Sequence, residues 1–129
     1  MMELVLAAKA FADPTRVRIL AALRGRELCV CELSDALGVS QSTLSTHLRV
    51  IRAAGLVRTR KAGKWVYYAP EPEAEAFMES LFGFFQTSLR GDATVQRDTG
   101  RVRQRLAERA DGECCRGFES GGGPKGRKR

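Results

Sequence analysis

LSDALGVSQSTLSTHLRVIRAAG, from Leu33 to Gly55, contains two short amphipathic runs hinged at a glycine. Leu33 and Leu37 are four residues apart and share one face of a helix expected over roughly Cys31 to Leu37. Gly38 suits the left-handed position that ends such a helix. Ser40 is the N-cap of a second helix, and Val39 before it and Leu44 after it have the spacing of a hydrophobic staple. Leu44, Leu48 and Ile51 make a buried stripe, which leaves Gln41, Ser42, Ser45, Thr46 and Arg49 facing outward. Gly55 closes this helix.

Upstream, Leu4, Leu6, Ala7, Ala10 and Phe11 recur at helical spacing. Asp13-Pro14 fits an N-cap followed by proline at the first helical position. The helix it starts carries Val17, Ile19, Leu20 and Leu23 and ends at Gly25. Downstream, Leu56 to Arg60 and Lys64 to Ala69 read as a β-hairpin turning at Lys61-Ala62-Gly63. Glu71 to about Leu89 reads as a long helix, and Val95 to Ala110 as a charged one with only Val95, Val102 and Leu106 to bury.

The expected fold is mainly α with a β-hairpin: a winged helix-turn-helix, homodimeric, with a flexible C-terminal tail. Residues 1–90 are expected to form the DNA-binding and dimerisation domain. Residues 91–129 form a C-terminal extension carrying Cys114-Cys115, with a glycine-rich basic end of disordered composition. Phe77, Leu81, Phe84 and Phe85 give the long helix more aromatic surface than so small a domain can cover. With Leu4 and Phe11 of the first helix they are the expected dimerisation surface; the alternative is intrachain core.

At 129 residues the chain has room for one domain. Its formal charge of +7 points toward a polyanionic partner. The placement of that charge is more telling. Ala36 to Pro70 contains no Asp or Glu, yet holds Arg49, Arg52, Arg58, Arg60, Lys61 and Lys64. In a helix-turn-helix the second helix enters the major groove of double-stranded DNA. Gln41 can pair with adenine, and Ser42 and Ser45 can donate or accept. Arg49 and Arg52 fall where phosphates would lie, and Arg60, Lys61 and Lys64 on the wing. The competing reading makes the serines plain caps and the charges a solvated face; the acid-free run and the hairpin count against it. His47, the single histidine, adjoins the buried Leu48 and reads first as structural.

The N-terminus is too short and too interrupted by charge for a signal peptide or a membrane span, so a cytoplasmic protein is expected. Its cysteines are then reduced. Their grouping as Cys29/Cys31 and Cys114/Cys115 is no disulfide framework and suggests soft-metal, metalloid or redox chemistry. In an ideal helix, residues i and i+2 point about 200° apart. Cys29 and Cys31 therefore cannot hold one small atom while both are helical. Either Cys29 lies just outside the helix, or binding unwinds its first turn. The competing reading makes both of them small core residues. No catalytic residues are assigned: the pair is C-x-C rather than C-x-x-C, with no phosphate-cradling glycine loop and no base beside a cysteine.

Glu27 to Pro70, ELCVCELSDALGVSQSTLSTHLRVIRAAGLVRTRKAGKWVYYAP, resembles the DNA-binding core of the ArsR/SmtB metalloregulatory repressors. The motifs ELCVCEL, SQSTLSTHL and an AGLV…R…G…YY wing follow in order. With flanking helices the likeness covers roughly residues 3 to 90. It implies a homodimeric repressor of an arsenical-resistance operon, bound to an imperfect inverted repeat. The resemblance further implies release by trivalent arsenic or antimony held on cysteine thiolates, with no required cofactor. In that family a third cysteine follows the second by three residues; here that position is Ser34. Three arrangements stay open. A tail thiol completes Cys29/Cys31, which leads; Cys114/Cys115 form their own site; or Cys29/Cys31 act alone on a methylated arsenical. Cadmium or lead as inducer, or a thiol redox switch, are the alternatives.

Overall fold

The computed structural model describes residues 1–109, so the expectations for Cys114, Cys115 and the basic tail lie outside the described residues. The elements run α1 (Met2–Ala10), α2 (Pro14–Ala22), β1 (Leu28–Cys29), α3 (Val30–Leu37), α4 (Gln41–Ala53), β2 (Val57–Ala62), β3 (Trp65–Pro70), α5 (Pro72–Phe84), α6 (Gln86–Arg90) and α7 (Ala93–Ala107). This is a winged helix-turn-helix, with α3 and α4 as the motif and β2–β3 as the wing.

Local chemistry sets the boundaries of the motif. Asp13 accepts a hydrogen bond from the Arg16 amide at 3.1 Å and starts α2 with Pro14 at its first position. Ser40 Oγ accepts from the Thr43 amide at 3.2 Å, the N-cap bond of α4. Gly38 takes φ +67°, a left-handed conformation that an L side chain rarely adopts. Leu33, Leu37, Leu44, Leu48 and Ile51 are all buried in one core with Ile19, Leu20 and Leu23 of the α2 segment.

The sheet departs from a simple hairpin. Its order is β1-β3-β2, all antiparallel, because Leu28–Cys29 adds a short third strand against Tyr67 and Tyr68. The turn is also displaced. Ala62 pairs with Trp65, so the loop is Gly63-Lys64 rather than Lys61-Ala62-Gly63. Gly63, at φ +62°, occupies the first loop position, where two-residue hairpins of this hand need a positive φ.

The long helix expected from Glu71 to Leu89 is broken at Phe85, with α6 continuing beyond it. The expected boundary at residue 90 is crossed by packing. α7 lies on α2 and α3, with Val102 fully buried and Asp98 and Arg105 buried beside it. Two ion pairs fasten it: Arg18 Nε to Asp98 Oδ2 at 2.7 Å and Arg105 Nε to Asp35 Oδ2 at 3.0 Å. No helix among the described residues is long and apolar enough to cross a membrane.

Candidate nucleic-acid interface and sulfur site

Helical spacing puts the expected DNA-reading residues on one side of α4. Gln41, Ser42, Ser45, Thr46, Arg49 and Arg52 are all exposed. Lys61 and Lys64 are exposed at the wing tip, where Lys64 Nζ lies 5.1 Å from the centre of the Trp65 ring. Arg60 is exposed as well and is held by two neighbours. Its Nη2 and Nε donate to the two Glu27 carboxylate oxygens at 2.6 and 3.0 Å, and its guanidinium stacks 4.7 Å above Tyr67. Those hydrogen bonds hold the Glu27 carboxyl below the usual carboxylate range. His47 lies between α4 and α2, with Nδ1 3.2 Å from Arg16 Nη1 and 3.8 Å from Asp13 Oδ2.

Cys29 lies outside the helix, the first of the two possibilities open from spacing. It is the N-cap of α3, with extended backbone at φ −90° and ψ 169°, and Cys31 is the second helical residue. This bend brings the two Sγ atoms to 3.0 Å, close enough to reach one small soft atom, given metal–sulfur bonds of about 2.3 Å. Both side chains are buried against Tyr67, and Ala62 and Trp65 of the wing pack on the same cluster. Sheet register explains the juxtaposition. Cys29 pairs with Tyr67 and Tyr67 with Arg60, so the three stand side by side on one face.

Ser34 does not supply a third ligand. Its hydroxyl donates to the Val39 carbonyl at 2.7 Å and ties α3 to the turn before α4. Among the described residues no group of three Cys, His, Asp or Glu side chains converges to hold a metal ion.

Two further residues frame the cysteine turn. Glu32 is fully buried and accepts from the Cys29 amide at 3.1 Å, so it closes the first turn of α3. Arg109, just past α7, donates to both Glu32 oxygens at 2.6 and 2.7 Å and to the Glu27 carbonyl at 2.8 Å. C-V-C-E has the x-x-Glu spacing of a capping box, so Glu32 was legible from that pattern. Nothing local marks Arg109, whose partner is 77 positions away in sequence.

Most of the expected dimerisation residues are exposed apolar side chains. Phe84 is 81% exposed, Leu4 71%, Phe85 50% and Phe77 45%, while Phe11 and Leu81 are half-buried. Phe11 and Phe77 meet edge to face at 6.0 Å, so α1 and α5 contribute to a common surface.

Residues 13–59 match the model of the bacterial regulatory proteins of the arsR family. The chain is 35% identical over 111 residues to the arsenic resistance transcriptional regulator ArsR2 of Pseudomonas putida, covering 83% of this chain and 93% of that one. Among solved structures it is similar to HlyU from Vibrio cholerae, with a TM-score of 0.60 and 41% identity over 65% of this chain and 92% of that one. A second is the homodimeric winged helix-turn-helix DNA-binding domain of Mb0332 from Mycobacterium bovis. There the TM-score is 0.60 at 28% identity, over 66% of this chain and 79% of that one. Against two other curated relatives the chain spans only 58% and 46% of their length.

Proposed function

We propose that this chain, which belongs to the arsR family of bacterial regulatory proteins, is a cytoplasmic dimeric repressor that leaves its operator when trivalent arsenic or antimony binds its cysteines. The observation that carries this reading is the 3.0 Å approach of Cys29 and Cys31 at the start of the helix that braces α4. Paired thiolates select soft, thiophilic acceptors. The curated relatives are named as transcriptional regulators.

The DNA face is the outer side of α4 with the wing tip. Gln41, Ser42, Ser45 and Thr46 read base edges, and Arg49, Arg52, Lys61 and Lys64 hold phosphates. Arg60 takes a different role, bracing the wing against Glu27. Two protomers joined through α1 and α5 present two such faces to an inverted repeat.

Pyramidal trivalent arsenic needs three thiolates, and the described residues provide two. The third comes from Cys114 or Cys115. Arg109 supports this, because it delivers the chain to Glu32 beside Cys29, five positions before Cys114. Five residues reach at most roughly 17 Å. An acceptor needing only two thiolates, such as a monomethyl arsenical, fits Cys29 and Cys31 alone.

The deciding experiment is operator binding by the wild type with arsenite, antimonite, cadmium, lead or zinc, repeated for Cys29→Ser, Cys31→Ser and the Cys114→Ser/Cys115→Ser double variant. Release by arsenite and antimonite, lost in all three variants, is expected. Normal release from the double variant excludes completion by the tail. Release by cadmium or lead alone moves the protein to that branch of inducers, and release by peroxide without metal makes it a redox switch.

A further inference from the structure

An open depression lies between α4 and the wing, lined by Ser45, Leu48, Arg49, Arg52 and Ala53 of the helix and by Tyr68 of β3. No acidic residue lines it, and neither Arg49 nor Arg52 forms an ion pair among the described residues. Residues 45, 49 and 52 recur at i, i+4 and i+7 along α4, so their side chains converge on one strip of its surface. Tyr68 closes the strip from the other side. Its ring packs against the main core, and no described residue hydrogen-bonds its hydroxyl.

We propose that this depression seats a backbone phosphate of the operator, with Arg49 and Arg52 supplying charge and the Tyr68 hydroxyl donating a hydrogen bond. A phosphodiester offers acceptor oxygens and one negative charge. Two guanidiniums and two hydroxyls, with no carboxylate in the lining, are the complementary set. Tyr68 is a half-buried anchor whose ring is already fixed by packing, so little side-chain entropy is lost on binding. The contact sets how deeply α4 lies in the groove, because helix and wing then grip one phosphate together. This inference rests on the DNA face proposed above.

Its test is Tyr68→Phe, measured against operator and random duplexes over a salt series, beside Arg49→Ala, Arg52→Ala and Gln41→Ala. Tyr68→Phe should weaken both duplexes alike by about five- to tenfold, the effect of one hydrogen bond. Its salt slope should match the wild type, since a neutral group displaces no counterion. Arg49→Ala and Arg52→Ala should each reduce that slope by about 0.9. Thermal unfolding of Tyr68→Phe should coincide with the wild type. Wild-type affinity, or a lowered melting temperature that accounts for the loss, overturns the assignment of Tyr68. Inorganic phosphate at constant ionic strength should leave the difference between Tyr68→Phe and wild type intact; abolishing it overturns the DNA phosphate as occupant. If Arg49→Ala, Arg52→Ala and Gln41→Ala all bind normally, the proposed DNA face itself fails.

Discussion

Arg109 closes on both carboxylate oxygens of the fully buried Glu32, at 2.6 and 2.7 Å, and Glu32 in turn holds the Cys29 amide. The end of α7 is thereby bound to the sulfur turn by a charge pair with little access to water. Removing one partner from such a pair leaves the other charge buried and uncompensated. Arg109→Ala should therefore cost about 3 kcal/mol of unfolding free energy. Adding Glu32→Gln should recover part of that cost, because it removes the orphaned charge. Denaturant melts of the two single variants and the double variant measure the coupling, and purely additive costs would contradict it.

The wing cations should separate by role. Lys61→Ala and Lys64→Ala are each expected to lower the salt slope of DNA binding by about 0.9. Arg60→Ala should barely change that slope, because its guanidinium is held by Glu27 and Tyr67. Equal slopes for all three variants would show that Arg60 swings out to the phosphates.

Glu27 predicts a pH dependence. Arg60 lowers its folded carboxyl below the unfolded value, which lies near about 4.3. A depressed carboxyl contributes stability that is complete above the unfolded value and is lost as pH falls through the folded one. Wild type and Glu27→Gln should thus differ in melting temperature at neutral pH and converge only as the pH falls below the depressed folded value. A constant gap down to acid pH would assign the difference to packing instead.

Ser34 is expected to be structural only. Ser34→Ala deletes its hydrogen bond to the Val39 carbonyl and should cost about 1 kcal/mol. The inducer concentration for half-release should not move. A rise of tenfold or more would make the hydroxyl part of the inducer site.

Phe84 tests the oligomer. At 81% exposure it contributes little to the protomer's core, so Phe84→Glu should leave the helical content and monomer fold intact. Sedimentation should show the dimer dissociating, with operator affinity falling in parallel. An unchanged dimer would place the interface elsewhere on α1 or α5.

Much of the chain was legible because its signals are local. Asp13-Pro14, Gly38, Ser40 and Gly55 mark helix ends by side-chain capping or a left-handed backbone, interactions that span three or four residues. The break at Phe85 was not legible, since the apolar spacing runs through it and the nearby Gly83 stays inside α5. The hairpin was legible but misplaced, because both Lys61-Ala62-Gly63 and Gly63-Lys64 contain the needed glycine and only strand pairing chooses between them.

By itself the sequence determined the helix-turn-helix, the wing, the exposed polar face of α4 and the geometric problem posed by two cysteines one residue apart. Each of these follows from period, capping or charge within a short window. Only the tertiary structure decided that Cys29 leaves the helix to pair with Tyr67, bringing the sulfurs to 3.0 Å. It also paired Arg60 with Glu27, and brought Arg109 to Glu32 across the fold. These outcomes depend on strand register and on where α7 docks. Burial of Val102 and pairing of buried charges set them, and both join residues that are remote in sequence.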